Sequence, residues 1–277
     1  MAELAKMLHF LKSGTEQTAK AYSTVDEAGE NYVPLKIDGV ACYAPIGVTD
    51  DAMATNGRVK KNGTEYAIKS QQSKPAYTEI SYTVAGTHTF TVPSGVTRLR
   101  VAVCGGGGGA VGHKDLQQVA STSAPSGGDS SFGNLLTATG GKGGYIQGDP
   151  WNGQVTGGKG GTPNGNTGDS CDRYEGTYAC LGGSGFLLSF EKTTVQQGST
   201  GSYGEGGSLA YMGSTEQWSV SAGGGSGGYA TNYVEVSPNT TYSISVGSAG
   251  SNKCLTAPYL QYHPKSGFVL IAYGGDI

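Results

Sequence analysis

Short runs of alternating apolar and polar residues recur along this chain, and such alternation is typical of β-strands that bury one face. The longest run is ISYTVAGTHTFTVPSGVTRLRVAVC, which is interrupted at Ala85-Gly86 and at Pro93-Ser94-Gly95. A second pair of runs reads YATNYVEVSPN and TTYSISVGS, and a third run reads SGFVLIAYG. The pattern predicts an all-β fold in which short strands are separated by turns at glycine and proline.

The predicted strands fall into two groups, within residues 77–104 and 229–274, that flank residues 105–228. If the two groups pair as one antiparallel framework, the segment between them is held at both of its ends. We therefore expect a β-sandwich-like framework, with residues 105–228 as a glycine-rich, loop-presenting middle.

Residues 1–74 carry a separate pattern of short alternating runs. Two pairs of runs surround Asp38-Gly39 and Asn62-Gly63, the dipeptides that favour type I′ turns, so they predict two small β-hairpins. The segment DDAMATNG between them fits one helical turn capped by Asp50. The opening AELAKMLHFLK fits either a short helix or a first strand.

Glycine composition divides the chain at a definite place. Of the 277 residues 49 are Gly, and clusters of two to five recur from Gly105 to Gly275, whereas residues 1–74 have an ordinary composition. This change predicts a domain boundary near Pro75, between an N-terminal domain and a glycine-rich domain at 75–277. The clusters show no strict G-X-Y period, which excludes a collagen triple helix.

Such clusters need a physical reason to be ordered. Each Gly fixed in regular structure costs about 0.5–1 kcal/mol relative to Ala, so roughly twenty of them cost as much as a whole domain's stability of about 5–15 kcal/mol. Extended polyproline II segments that lack Cβ atoms can approach closely enough to hydrogen-bond through their backbones. We predict such a core, rather than a flexible linker, because aromatic residues interrupt the clusters. Its structural glycines are Gly105, Gly106, Gly107, Gly143, Gly144, Gly160, Gly161, Gly224 and Gly225.

Charge argues against two classes of partner. Lys and Arg total 18 and Asp and Glu total 21, for a formal net charge of −3, and the cations form no cluster. Nucleic-acid binding and membrane-surface attachment both rely on clustered cations, so we expect neither. No stretch approaches 18 consecutive apolar residues, so we expect no insertion into a membrane. MAELAKMLHF lacks the features of a signal peptide, so we expect the protein to be synthesised in the cytoplasm.

No motif indicates catalysis. Gly107, Gly109 and Gly112 follow a strand run and match G-x-G-x-x-G, but HKDLQQVASTSAPSGG after them is too short and too broken for the helix of a dinucleotide site. The four histidines are scattered, and no GxSxG phrase is present. We expect no enzyme activity, no catalytic residues, no metal and no cofactor.

The five cysteines are odd in number and form no CxxC pair, which argues against a zinc site and against a disulfide framework. They fit small buried apolar residues. Only Cys171 and Cys180 are close enough in the sequence to suggest a local bridge, and the sequence leaves that question open.

Four phrases follow one another beyond residue 76: HTFTVPSGVTRLRVAVCGGGGG, GGDSSFGNLLTATGGKGG, GGGSGGYATNYVEVSPNTTYSISVGSAG and SGFVLIAYG. Together they resemble the glycine-rich domain of bacteriophage tail-fibre and receptor-binding proteins, over about Tyr77 to Ile277. In many members of that family the phrase like YVEVSPNTTYSISVG comes soon after the first polyglycine run, whereas here GGDSSFG precedes it. The polyglycine phrases are also similar in composition to those of T-even tail-fibre tip adhesins.

The resemblance implies that a rigid glycine core presents variable loops to a host surface. The inserts between the glycine clusters are rich in Tyr and Trp, which provide large contact areas at low entropic cost. We expect Phe186 and Phe190 instead to cover hydrophobic edges of the sandwich. The candidate receptor-binding residues are Tyr145, Trp151, Tyr174, Tyr178, Tyr203, Tyr211 and Trp218.

As a function, the resemblance implies a virion protein, a tail fibre or receptor-binding protein that attaches the phage to its host. It implies tail or baseplate proteins as partners of residues 1–74, a host glycan or outer protein as partner of residues 75–277, and a homotrimer. Two alternatives stay open: a structural baseplate, neck or capsid-decorating protein, and a bacterial carbohydrate-binding surface protein.

Overall fold

A computed structural model divides the chain into two compact units, Met1–Lys74 and Pro75–Ile277. The structure describes the backbone of six strands in the first unit and, in the second, residues 76–114, 119–148, 154–175, 178–211, 218–255 and 259–275. Within the second unit only the backbone is described at residues 114, 119–120, 172–175, 178, 211, 218–219 and 259–260. The described residues form strands, turns and extended segments without a helix, so the predicted all-β class is confirmed.

The first unit contains a strand pair and a four-stranded sheet. The strands are β1 Lys6–Lys12, β2 Thr15–Ala21, β3 Tyr32–Ile37, β4 Val40–Gly47, β5 Arg58–Lys61 and β6 Thr64–Ile68. Strands β1 and β2 pair, and the sheet has the order β3-β4-β6-β5. Ile37 lies opposite Val40, and Lys61 lies opposite Thr64, which confirms both predicted strand pairs. The opening segment is a strand and not a helix, while DDAMATNG lies outside the described residues.

The second unit has 21 strands in its described part. They are β7 Thr78–Tyr82, β8 Gly86–Thr91, β9 Arg98–Cys104, β10 Val111–Lys114, β11 Val119–Ser123, β12 Ser130–Phe132, β13 Leu136–Ala138, β14 Tyr145–Gly148, β15 Gln154–Thr156, β16 Ser170–Glu175, β17 Tyr178–Cys180, β18 Gly185–Leu187, β19 Thr194–Val195, β20 Ser202–Tyr203, β21 Ser208–Tyr211, β22 Trp218–Ala222, β23 Tyr229–Glu235, β24 Thr241–Val246, β25 Lys253–Cys254, β26 Tyr259–Tyr262 and β27 Phe268–Tyr273.

Two four-stranded sheets form a sandwich, with strand orders β23-β9-β27-β7 and β13-β12-β24-β8. Alternate residues of the facing strands bury their side chains between the sheets, among them Val101, Phe132, Ile244 and Ile271. Strand β9 pairs with both β23 and β27 in antiparallel register, so the two predicted strand groups form one framework. Strands β12 and β13 come from the glycine-rich middle, and with three residues each they are too short to show alternation.

The outer face of the first sheet is also buried. Phe268 and Leu270 point away from the sandwich core and contact Phe186 and Phe190, whose exposed fractions are 0% and 7%. The two phenylalanines therefore cover a sheet face and not an edge. This second apolar cluster explains why FVLIAY in β27 is apolar at successive positions: both faces of the strand are covered.

Beyond the sandwich lies a layer of extended glycine-rich segments that belong to no β-ladder. The described part contains ten of them: 105–110, 124–129, 139–144, 157–161, 165–169, 181–184, 204–207, 223–228, 247–252 and 263–267. We call this region the glycine layer. Its first segment leads into strand β10, at the position where a dinucleotide-binding motif has a helix.

Candidate functional site

The segment 223–228 lies at the centre of the glycine layer, and all six of its amides donate hydrogen bonds. Successive amides reach the carbonyl oxygens of Asp169, Gly207, Lys142, Asn166, Gly204 and Thr139, at 2.7–3.0 Å. The acceptors belong to three neighbouring segments taken in turn. This repeat of three residues is the period of a polyproline II helix.

The carbonyl oxygens of the same segment accept bonds from three other neighbours. Gly223 accepts from the amide of Gly158 and Gly225 from that of Gly108, at 2.8 and 2.9 Å. The third neighbouring segment bonds through Gly183, whose amide donates to the carbonyl oxygen of Gly224. Six segments thus surround the central one, and a fully buried backbone has its polar groups satisfied without a ladder.

This arrangement leaves no space for side chains at the predicted structural glycines. A Cβ added at any of the nine would lie between 1.8 Å, as at Gly143, and 2.3 Å, as at Gly105, from a backbone atom of another segment. At Gly224 the nearest atom is the carbonyl oxygen of Gly108, at 2.0 Å. Backbone atoms cannot rotate away as a flexible side chain can, so glycine is required by close approach.

The segments run alternately away from the sandwich and back toward it. Gly105 bonds to Gly228 while Gly108 bonds to Gly225, so the segments that contain these residues are antiparallel. The segment that contains Gly106 is likewise antiparallel to the segment to which Gly106 bonds. Five pairs of consecutive strands therefore lie on the side away from the sandwich. We call this side the distal face, and the stretch of chain that links the two strands of a pair a distal connection. The pairs are β10 and β11, β14 and β15, β16 and β17, β21 and β22, and β25 and β26.

The distal face gathers most of the candidate binding residues. Tyr145 begins β14, and the backbones of four others lie on the strands that flank the distal connections: Tyr174, Tyr178, Tyr211 and Trp218. Trp151 lies outside the described residues. Tyr203 is separated from this group, because β20 belongs to a connection on the sandwich side.

Two candidates have described side chains. The Tyr145 hydroxyl lies 3.3 Å from Ser121 Oγ and also contacts Gln147 Oε1, so this half-buried ring is tied to its own sheet. Tyr203 packs edge-on against Phe268, with ring centroids 5.4 Å apart, beside the apolar cluster that covers the sandwich. Tyr203 therefore packs, half-buried, against the apolar cluster.

One distal residue was missed by the sequence reasoning. In the sheet β17-β21-β26, Tyr178 lies opposite Tyr211, which lies opposite Tyr259. Residues directly opposite one another in adjacent strands share a face of the sheet, so the three tyrosines form one cross-strand row. The signal for Tyr259 was the apolar and aromatic phrase PYLQY, which stands outside any glycine cluster.

Cys171 and Cys180 are buried free thiols. The Cys180 thiol lies 3.3 Å from the carbonyl oxygens of Asp169 and of Ser221. The hydrogen bond between the two thiols, with burial, raises the pKa of Cys171 above its ordinary range. A neutral buried thiol is a poor nucleophile, so Cys171 fits a structural role.

The described residues place few ionisable groups together. No three His, Cys, Asp or Glu side chains among them converge in a way that fits a metal ion. No helix in the same part of the chain has the length and hydropathy to cross a membrane. The comparisons add no relative: no family model, curated protein or solved structure matches the chain.

Proposed function

We propose that this chain is a bacteriophage tail-fibre or receptor-binding protein whose glycine-rich unit attaches to the host cell. The observation that carries the proposal is the distal face: five pairs of strands lie together on one side of a layer whose glycines leave no space for a side chain. Such a layer holds loops in place while their sequences vary, and binding residues are commonly found on loops of this kind.

The residues gathered there suit recognition of a surface. Tyr178, Tyr211 and Tyr259 form one row, and Trp218 begins β22, the strand that follows Tyr211 after their shared connection. Tyrosine and tryptophan contribute large contact areas while losing little side-chain entropy, so they are frequent at binding hot spots. The partner in this proposal is a glycan or an outer protein of the host.

The other parts of the proposal concern assembly. Residues 1–74 would bind tail or baseplate proteins, and the chain would form a homotrimer in the virion tail after synthesis in the host cytoplasm. The first unit is small, and closed cyclic symmetry is the usual arrangement of soluble oligomers. Light scattering on the full chain at micromolar concentration should give three times the chain's mass of 28.2 kDa, and a monomer mass would exclude the trimer.

Attachment is tested with the fluorescently labelled full chain on a panel of Gram-negative and Gram-positive bacteria. Tyr211→Ala and Trp218→Ala are expected to reduce the bound fluorescence at least tenfold on a strain that binds the parent. Tyr233→Ala is the matched control, because this ring is 45% exposed on strand β23 of the sandwich. All variants are first checked for an unchanged melting temperature.

Two results would contradict the proposal. Binding that Tyr233→Ala abolishes and both distal variants retain would move recognition to the sandwich. Failure of the parent to bind any strain, together with antibody labelling of phage capsids and not of tails, would favour a capsid-decorating protein.

A further inference from the structure

Two buried thiols lie at the base of the distal connection that links β16 to β17. Cys171 is the second residue of β16, and Cys180 is the last residue of β17. Both are free thiols in the structure, with exposed fractions of 8% and 0%. We propose that these two cysteines are a disulfide site, in which a covalent bond closes between them when the chain folds in oxidising surroundings.

The backbones around the two cysteines are joined by a hydrogen bond. Asp169, two residues before Cys171, donates from its amide to a carbonyl oxygen at 2.8 Å. That oxygen belongs to Leu181, the residue that follows Cys180. The two strands nevertheless belong to different sheets, because β16 pairs with β22 and β17 pairs with β21. A bond between the thiols would therefore link one sheet to the other.

Three contacts place the two sulfur atoms beside each other. Cys180 Sγ lies 3.3 Å from the carbonyl oxygen of Ser221, the residue directly opposite Cys171 in the pair of β16 and β22. It also lies 3.3 Å from the carbonyl oxygen of Asp169. Cys171 Sγ lies 3.8 Å from the carbonyl oxygen of Ala179, the neighbour of Cys180. Each sulfur thus lies against the backbone next to the other cysteine, and the two thiols share a hydrogen bond.

The oxidant in this proposal is a disulfide that the surroundings supply, such as oxidised glutathione. Both thiols are buried in the folded chain, so the first exchange takes place while the chain folds: one cysteine thiolate attacks the oxidant, forms a mixed disulfide and releases one glutathione thiolate. Folding then brings the second cysteine thiolate against the mixed disulfide, and its attack forms the protein disulfide and releases the second glutathione. The protein loses two protons and two electrons, and one glutathione disulfide becomes two thiols.

Cys254 provides an internal control for proximity. It lies on β25 in the sheet order β16-β22-β10-β25, so two strands stand between it and Cys171. Three strand spacings of about 4.8 Å separate the two backbones by roughly 14 Å, whereas the Cα atoms of a disulfide lie within about 7 Å. Cys254 is half-buried, so oxidation that followed exposure alone would favour Cys254 over the buried pair.

This inference goes beyond the proposed function and does not rest on it, because it concerns only the two sulfurs and the redox state of the surroundings. A reducing cytoplasm keeps such thiols free, and an oxidising compartment favours the disulfide. In the linked form the base of one distal connection is closed covalently, and its strands carry Tyr174 and Tyr178. A connection closed in this way has less entropy to lose when it binds a partner.

The test produces the full chain in two bacterial strains, one with a reducing and one with an oxidising cytoplasm. Free thiols of the soluble protein are alkylated before digestion with trypsin. Trypsin cleaves after Arg173 and so separates residues 160–173, which contain Cys171, from residues 174–192, which contain Cys180. We expect these two peptides to be joined in most of the chain from the oxidising strain and to separate on reduction. From the reducing strain both peptides should be alkylated.

Two variants serve as controls. Cys171→Ser should leave Cys180 free for alkylation in both strains, whereas Cys254→Ser should keep the joined peptides. The linked parent should also melt about 3–10 °C above the reduced parent, because the bond restricts the unfolded chain.

The inference is overturned if both cysteines are alkylated in the soluble chain from the oxidising strain, or if they are joined to other cysteines instead. A linked chain that melts no higher than the reduced chain would also contradict it, since the bond would then distort the site. The joined peptides are identified in the parent, so the test remains decisive if Cys171→Ser fails to fold.

Discussion

The sandwich and the glycine layer of the second unit solve the same problem by opposite means. In the sandwich, residues such as Val101 and Ile271 exclude water with apolar side chains, and interdigitating side chains hold the two sheets apart. In the glycine layer the central segment 223–228 is just as buried, although only Ser226 has a side chain. There the backbones touch, and hydrogen bonds replace apolar contact.

The comparison teaches what each region allows evolution to change. A sandwich core tolerates exchange among apolar residues of similar volume, since packing depends on the sum of the parts. The glycine layer leaves no room for an added Cβ at its contacts, and the atoms nearest to such a Cβ are mostly backbone atoms of neighbouring segments. Each hydrogen bond contributes about 0.5–1.5 kcal/mol net, which offsets the extra cost of about 0.5–1 kcal/mol for ordering a glycine.

Gly224→Ala, which adds one carbon atom, is expected to reduce the stability of the protein more than the other substitutions considered below. Its Cβ would lie 2.0 Å from the carbonyl oxygen of Gly108, in a segment that is itself buried. Overpacking costs about 1–3 kcal/mol and each buried amide left unpaired another 1–3 kcal/mol, so the free energy of unfolding should fall by about 2–6 kcal/mol. Denaturant unfolding followed by circular dichroism measures this change.

If the glycine clusters were flexible linkers, the same substitutions would change the free energy of unfolding in the opposite direction. At an unconstrained position, replacing Gly by Ala is neutral or stabilises by about 0.4–1 kcal/mol, because it restricts the unfolded chain. Gly143→Ala and Gly160→Ala, with nearest contacts of 1.8 and 2.2 Å, should behave as Gly224→Ala does. An unchanged or raised midpoint in all three variants would refute the close packing of the layer.

Alkaline pH should act on the side-chain packing next to the sandwich. Tyr229 is 1% exposed and donates to the carbonyl of Ser189 at 2.9 Å. Burial, helped by the Glu191 carboxylate, raises the pKa of Tyr229 from 10.0 to about 12. The unfolded residue ionises first, so its contribution is complete below pH 10 and is lost as the pH rises toward 12, by about 3 kcal/mol in all.

Tyr229→Phe is the variant that isolates this contribution. At pH 8 it should be less stable than the parent by about 1 kcal/mol, through the lost hydrogen bond. Between pH 9 and pH 11 its stability should fall less steeply than that of the parent. If the stability of the parent and that of Tyr229→Phe change with pH in parallel, Tyr229 has the same pKa in the folded and the unfolded state, which would contradict this prediction.

Removing one carbon from the sandwich should have a smaller effect than adding one to the glycine layer. Ile271 is fully buried between the sheets, and Ile271→Val leaves a cavity the size of one methylene. Such changes cost about 0.5–1.5 kcal/mol. Thermal unfolding of both variants compares the loss of stability in Ile271→Val with that in Gly224→Ala. A larger loss of stability for Ile271→Val would contradict the expected order.

The smallest effect is expected where the glycine layer already carries a side chain. Lys159 follows Gly158 in one segment, and its side chain is exposed to solvent. Lys159→Ala should change the free energy of unfolding by no more than about 0.5 kcal/mol. A loss as large as that of Gly160→Ala, one residue away, would mean that the layer is sensitive to any substitution and not to an added Cβ.

The sandwich was the more predictable region. Alternation in runs such as RLRVAVC identified β9 and its partners, because a half-buried strand displays its period in its side chains. The close packing of the glycine clusters was predicted from the cost of ordering them. The sequence did not predict which segment lies at the centre of the layer, because a run of glycines has no side-chain pattern that shows how many segments surround it.

The side on which each connection lies was also beyond the sequence reasoning. Alternate connections lie on opposite sides, so counting the segments would assign Tyr203 to the sandwich side and Tyr211 to the distal face. The count fails at the short turn Thr162-Pro163-Asn164, which joins two segments inside what reads as one glycine-rich run. Asn164 has φ of +66°, as such a tight reversal requires.

Native-state hydrogen exchange of the amides of Gly223–Gly228 tests the account most directly. All six amides donate backbone hydrogen bonds inside the layer, so they can exchange only when the layer opens. We predict protection comparable to that of the amides of β9 at the centre of its sheet. Exchange of these six amides at the rate of an unstructured glycine peptide, while β9 stays protected, would contradict the ordered glycine layer.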